Sequence, residues 1–227
     1  VQTCALPIWG SDAFWKFHEQ AFANGKDLTP ENLERWASAA GVGKKDFQDP
    51  AAVARSEAKL KEDLELARTV GIRGTPASYV NGKLLSGNQP PQNFRKVIDM
   101  ELEEAAALAR RGVPADRIYV ERSLANLPKP TTKKDAATAG DEKEAEEEPA
   151  PSEEQPKDRG KVQKDDPTQF AVTVGSSPVK GPSDALVTIV QFGNFECRYS
   201  SQTEATLAEV LAANEGKVRR VFKHRPL

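Results

Sequence analysis

Cysteine is scarce in this chain, and the scarcity removes one class of architecture at once. Only Cys4 and Cys197 occur among its 227 residues, too few for the internal disulfide framework that staples small loop-rich folds. Long apolar runs are missing too: no stretch approaches the roughly 18 residues of a membrane-spanning helix. Positive charge is not in surplus, because the formal net charge is -2, so no basic face is offered to nucleic acid. Apolar residues make up 38% of the chain, low for a fully packed globule, and part of it is therefore predicted to lie outside any core. His18 sits on a predicted helix with no second ligand at a useful spacing, so it reads as a packing or surface residue. Neither a metal nor a cofactor is expected.

What is present is organised around Leu186 to Ser200, LVTIVQFGNFECRYS. Leu186, Val187, Ile189, Val190 and Phe192 form a short β-branched and aromatic run, the kind that a parallel strand covered on both faces requires. Gly193 and Asn194 break it. Beyond Cys197, the residues Ala205, Leu207, Ala208, Val210 and Leu211 recur at helical spacing up to a stop at Asn214 to Gly216. Cys197 thus falls at a predicted helix N-terminus. Unpaired N–H groups and the helix dipole favour a thiolate there, and Arg198 adds a positive charge, a setting in which cysteine pKa falls from about 8.5 to roughly 3.5–7.5.

Upstream, Phe14, Trp15, Phe17, Ala21 and Phe22 give one aromatic helix face. Thr29, Pro30 and Glu31 open a second helix carrying Leu33, Trp36, Ala37 and Ala40. A longer one follows Pro50, with Val53, Leu60, Leu64, Ala67 and Val70 expected in the core. After Gly71-Ile72-Arg73-Gly74-Thr75-Pro76, the pair Asn81-Gly82 separates two short apolar runs, which predicts a β-hairpin. A helix through Phe94, Val97, Ile98 and Leu102 comes next, and residues 115–127 read as a further helix. Residues 127–166 are rich in Lys, Glu, Pro and Ala and are predicted to be a disordered, charged linker. Residues 1–8, VQTCALPI, look like a translated sequencing-library adapter and are set aside with Cys4, as a fusion scar would be. On that reading the natural N-terminus, with any signal peptide, is missing.

Strand, F-x-C-x-x-S, helix, then KVRRVFKHRPL resembles the opening βαβ of DsbA-like thiol-disulfide oxidoreductases of the thioredoxin superfamily. The Gly-Thr-Pro segment with its hairpin resembles the same family's cis-proline loop. The resemblance implies an α/β thioredoxin-like fold with a helical insertion, with Cys197 as nucleophile and Thr75 and Pro76 receiving the substrate backbone. It implies that Ser200 occupies the place of a missing resolving cysteine, and Arg198 is expected to tune the thiol. The order of the pieces is inverted relative to one family member. Residues 9–126 then read as the C-terminal half of one domain and 167–227 as the N-terminal half of a second, from a tandem protein. Together they supply one set of elements in circularly permuted order, and the hairpin is expected to dock antiparallel beside residues 187–192.

The activity expected is exchange with protein or peptide disulfides through a single cysteine, as reductase or isomerase rather than stand-alone oxidase. An external thiol or a partner oxidoreductase would complete the cycle. The alternatives are a non-catalytic peptide- or protein-binding module and an inactive fragment. The resemblance further implies a periplasmic or cell-envelope location.

Overall fold

Helix starts follow from local chemistry. Thr29 Oγ1 accepts from the Asn32 N–H at 3.3 Å and Pro30 takes the first helical position. Asp49 repeats the device, accepting from the N–H groups of Ala51 and Ala52 ahead of Pro50, so N–H groups that the helix leaves without partners are satisfied. The computed structural model describes residues 10–126 and 172–226, and these fall in a single unit. The adapter-like residues 1–8 with Cys4 and the predicted linker 127–166 lie outside the described residues.

In chain order the helices α1 (Ser11–Ala23), α2 (Pro30–Ala39), α3 (Lys44–Phe47) and α4 (Pro50–Thr69) precede a hairpin of β1 (Ala77–Val80) and β2 (Lys83–Ser86). Then come α5 (Pro91–Arg110), α6 (Ala115–Ala125), β3 (Val179–Lys180), β4 (Val187–Gly193), α7 (Arg198–Ala213) and β5 (Val218–His224). The five strands form one sheet in the order β2-β1-β4-β5-β3. β4 and β5 run parallel, joined through α7, and β1 lies antiparallel to β4 with Ala77 opposite Phe192 and Val80 opposite Ile189. The hairpin therefore docks beside residues 187–192 as expected, and the architecture is a thioredoxin-like α/β fold with a helical insertion. β3 and α3 carry no strong signal in the sequence; β3 is a two-residue pairing of Val179 and Lys180 with Val221 and Arg220.

Alternation along β4 sets the layers. Val187 and Ile189 pack with Val80, Phe94, Ile98, Leu207 and Val210 under α5 and α7. Val190 and Phe192 face the other way, toward Ala67, Ile72, Tyr79 and Tyr119 of the α4 and α6 side. A third cluster holds Phe14, Phe17, Leu33, Trp36 and Phe195 under α1 and α2. Phe14 and Phe17 are fully buried, each contributing roughly 1.5–3 kcal/mol.

One residue sews the early and late segments together. Asn81, at φ 45°, accepts from the Thr188 N–H at 2.9 Å and donates to the Leu186 carbonyl at 3.1 Å, extending the β1–β4 ladder past the turn. Gly82 beside it, at φ 88°, has no room for a side chain, because a Cβ would stand 2.8 Å from the Ser123 Cα.

The expected core stripe of α4 requires correction. Leu60, Leu64, Val53 and Val70 are only half-buried, and the buried face is Ala52, Ser56, Lys59, Asp63 and Ala67. The reason is electrostatic. Asp63 Oδ1 is bonded by Lys59 and, at 3.2 Å, by Lys223 of β5, while its Oδ2 accepts from the His224 N–H at 3.1 Å. Lys223 also donates to Ser177 Oγ at 2.9 Å, so α4, β5 and the segment leading to β3 converge on one carboxylate.

Candidate active site

β4 ends at Gly193, and the next three residues turn the chain into α7. Asn194 Oδ1 accepts from the Glu196 N–H at 3.1 Å, and the Asn194 carbonyl accepts from the Cys197 N–H at 3.1 Å. Such Asx turns use the short side chain as a backbone mimic. Cys197 becomes the N-cap of α7, where the N–H groups of the first turn lack intrahelical partners. Ser200, fully buried at the third helical position, accepts from the Asn194 N–H at 3.4 Å.

The Thr75–Pro76 peptide is cis, and its loop lies against this turn. The Cys197 thiol donates to the Thr75 carbonyl at 3.4 Å, across 122 residues of sequence. Burial pushes the thiol's pKa up. The Thr75 hydroxyl, the backbone and side-chain donors of Ser200 and the Tyr199 N–H act against it, and the net value lies below that of an ordinary cysteine. Thr75 Oγ1 is otherwise buried without a partner, free to turn toward the sulfur when the proton leaves. Arg198, expected to tune the thiol, lies over the Tyr199 ring at 5.1 Å; the groups that lower the pKa in the structure are the helix-terminal and hydroxyl donors. The structure therefore brings together Cys197, Ser200, Thr75 and Pro76, with Arg198 exposed beside them.

Behind the turn, Phe195 stacks on Phe222 at 5.7 Å and meets the rings of His18, Phe22 and His224 edge-on. His18 is thus a packing residue of the aromatic core. Sequence reasoning missed His224, although its place at the end of the KVRRVFKH strand, level with Gly193, was a usable signal. Among the described residues no group of three or more His, Cys, Asp and Glu side chains is placed to hold a metal ion.

The two histidines are expected to make stability pH-dependent. Burial holds His224 down at about 4, against the upward pull of Asp63, and burial with the Arg220 charge keeps His18 well below its usual 6.5. A base with a depressed folded pKa leaves the unfolded chain binding more protons between the two pKa values. Stability is then full above about pH 6.5 and falls as pH drops toward 4. For His224 alone the loss should be on the order of 3 kcal/mol, and urea midpoints measured from pH 7 to 4 should fall accordingly. A flat series would show that both rings reach water in the native state.

Residues 9–99 match the DSBA-like thioredoxin domain family, a span that contains the Thr75–Pro76 loop and ends within α5. Among curated proteins, the chain is 28% identical over 118 residues to the Na(+)/H(+) antiporter NhaA 3 of Salinispora tropica, covering 52% of this chain and 18% of that protein. It is 43% identical over 49 residues to the Na(+)/H(+) antiporter NhaA 1 of Salinispora arenicola, 22% of this chain and 7% of that one. The chain spans less than a fifth of the length of either relative. Among the described residues no helix is long and apolar enough to cross a membrane. No solved structure matches the chain.

Proposed function

We propose, from the match of residues 9–99 to the DSBA-like thioredoxin domain family, that the chain is a thiol-disulfide oxidoreductase in which Cys197 is the sole nucleophile. The observation that carries the reading is the sulfur at the N-terminus of α7, in hydrogen-bond range of the Thr75 carbonyl and surrounded by donors that favour its thiolate. The thiolate attacks one sulfur of a substrate disulfide. A new bond forms to Cys197 Sγ as the old S–S bond breaks, and the departing sulfur leaves as a thiolate that takes a proton from water. Thr75 and Pro76 receive the substrate backbone beside the reacting sulfur. Ser200 has no thiol with which to displace the adduct, so a second substrate cysteine or an external thiol releases it. That chemistry suits reduction or isomerisation of protein disulfides better than net oxidation.

The order of the motifs supports reading 9–126 and 167–227 as the later and earlier parts of two family domains in a tandem protein, joined here into one sheet in circularly permuted order. The resemblance to this family also supports a periplasmic or cell-envelope setting. The decisive test is iodoacetamide alkylation of Cys197 as a function of pH, followed by peptide mass mapping so that Cys4 is scored separately. The midpoint should lie below that of a free cysteine, about 8.5, and Ser200→Ala should move it upward by removing a donor to the sulfur. A midpoint at or above the free-cysteine value would leave a peptide-binding module as the better description.

A further inference from the structure

Three arginines lie on the segments that meet at the candidate sulfur, and none is paired with a described carboxylate. Arg225 donates to the Arg73 carbonyl at 3.1 Å, which anchors its guanidinium on the loop that leads to Thr75. Arg73 itself is exposed, and Arg198, the residue after Cys197, is exposed over Tyr199. None of the three forms an ion pair with a described residue, whereas Arg95, Arg117, Arg122 and Arg220 all do. Against them the turn carries one acid, Glu196, also exposed.

From this arrangement we infer that Arg73, Arg198 and Arg225 form a cationic rim that selects negatively charged disulfides as partners of Cys197. The inference rests on the thiol-exchange reading above. Two residues of extended chain span at most about 7 Å, so the Arg225 guanidinium, held on the Arg73 carbonyl, sits within about 10 Å of the Thr75 carbonyl that the sulfur touches, and Arg73 projects from the same loop. Such a distance is about one Debye length at 0.1 M salt. The groups that activate the sulfur are Thr75, Ser200 and the Tyr199 N–H, so the arginines are left to act on the approaching partner. The favoured partner is a disulfide flanked by carboxylates, either in an acidic peptide or in a small anionic thiol's disulfide. The exchange is balanced as written above: one S–S bond forms, one breaks, and the thiolate released carries the displaced electron pair.

The test is the rate of mixed-disulfide formation at Cys197 in the full chain, read by peptide mass mapping, with three probes. They are dianionic 3,3′-dithiodipropionate, neutral bis(2-hydroxyethyl) disulfide and dicationic cystamine, each normalised to its rate with N-acetylcysteine amide. At about 0.01 M salt the normalised dianion rate should exceed the dication rate by roughly three- to tenfold, and the two should converge near 1 M, where the Debye length is about 3 Å. Arg73→Glu should erase most of that ratio, read against the neutral-probe rate of the same variant; Arg73→Gln, a milder change to the loop, should reduce it in part. A ratio near one at low salt, or one insensitive to both salt and Arg73, overturns the selectivity while leaving the thiol chemistry standing. No adduct at Cys197 with any probe overturns the thiol reading and the selectivity with it.

Discussion

Asp63→Ala is expected to cost about 3–5 kcal/mol of unfolding free energy. The carboxylate is bonded by Lys59, Lys223 and the His224 N–H, and both Asp63 and Lys223 are almost wholly buried. Removing it leaves the buried Lys223 ammonium without a carboxylate, while Lys59 keeps the exposed Glu62 at 3.8 Å, and the unpaired charge rather than the lost attraction dominates the cost. Burial already draws Lys223 below the usual lysine range, with Asp63 opposing the shift. In the variant that opposition is gone. A buried lysine whose folded pKa lies below its unfolded value gains stability as pH rises between the two, so the deficit should shrink as the pH is raised toward 10. Urea unfolding followed by far-UV circular dichroism at pH 7 and pH 9.5 checks both parts. A loss under about 1 kcal/mol at pH 7 would mean that the cluster is hydrated in the native state.

The same cluster marks where sequence reasoning stops. β4, the Asn81-Gly82 hairpin, the helix after Cys197 and the aromatic face of α1 were legible because their signals are local: β-branched runs, a turn dipeptide, a 3.6-residue period. The buried face of α4 was not. Its Leu60 and Leu64 point the eye to the wrong stripe, since Lys59 and Asp63 can be buried only by virtue of Lys223, 160 residues further on. β3 was missed for a related reason, being two residues whose strand character exists only through pairing with β5. At the candidate site, Cys197, Ser200 and the Thr75-Pro76 loop could be read from motif order and resemblance. The groups that act on the thiol in the structure are Thr75, Ser200 and Tyr199, while Arg198 lies over the Tyr199 ring; adjacency in sequence does not say which way a long side chain turns. Helix-terminal N–H groups, fixed by the backbone, act on the sulfur whatever their side chains do.

Ser200→Cys should speed release of a mixed disulfide from Cys197 by at least about a hundredfold over millimolar external thiol, since well-oriented intramolecular groups act at effective concentrations far above that. The two residues stand at the N-cap and third position of α7, and side chains three apart on a helix have Cβ atoms roughly 5–6 Å apart. The buried Ser200 hydroxyl favours the Cys197 thiolate, which places position 200 on the sulfur's side of the first turn. Attack by the introduced thiol forms a disulfide with Cys197, breaks the bond to the adduct, and expels the bound thiol as its thiolate. The same substitution replaces a hydroxyl donor with a weaker S–H donor at the same position, so the change to read is the release rate. Preparing the 2-nitro-5-thiobenzoate adduct and following thiolate release by absorbance, with and without added thiol, measures the effect directly. Equal release from the parent chain and the variant would show that another nucleophile resolves the adduct, and that the serine at position 200 is not what commits this chain to single-cysteine chemistry.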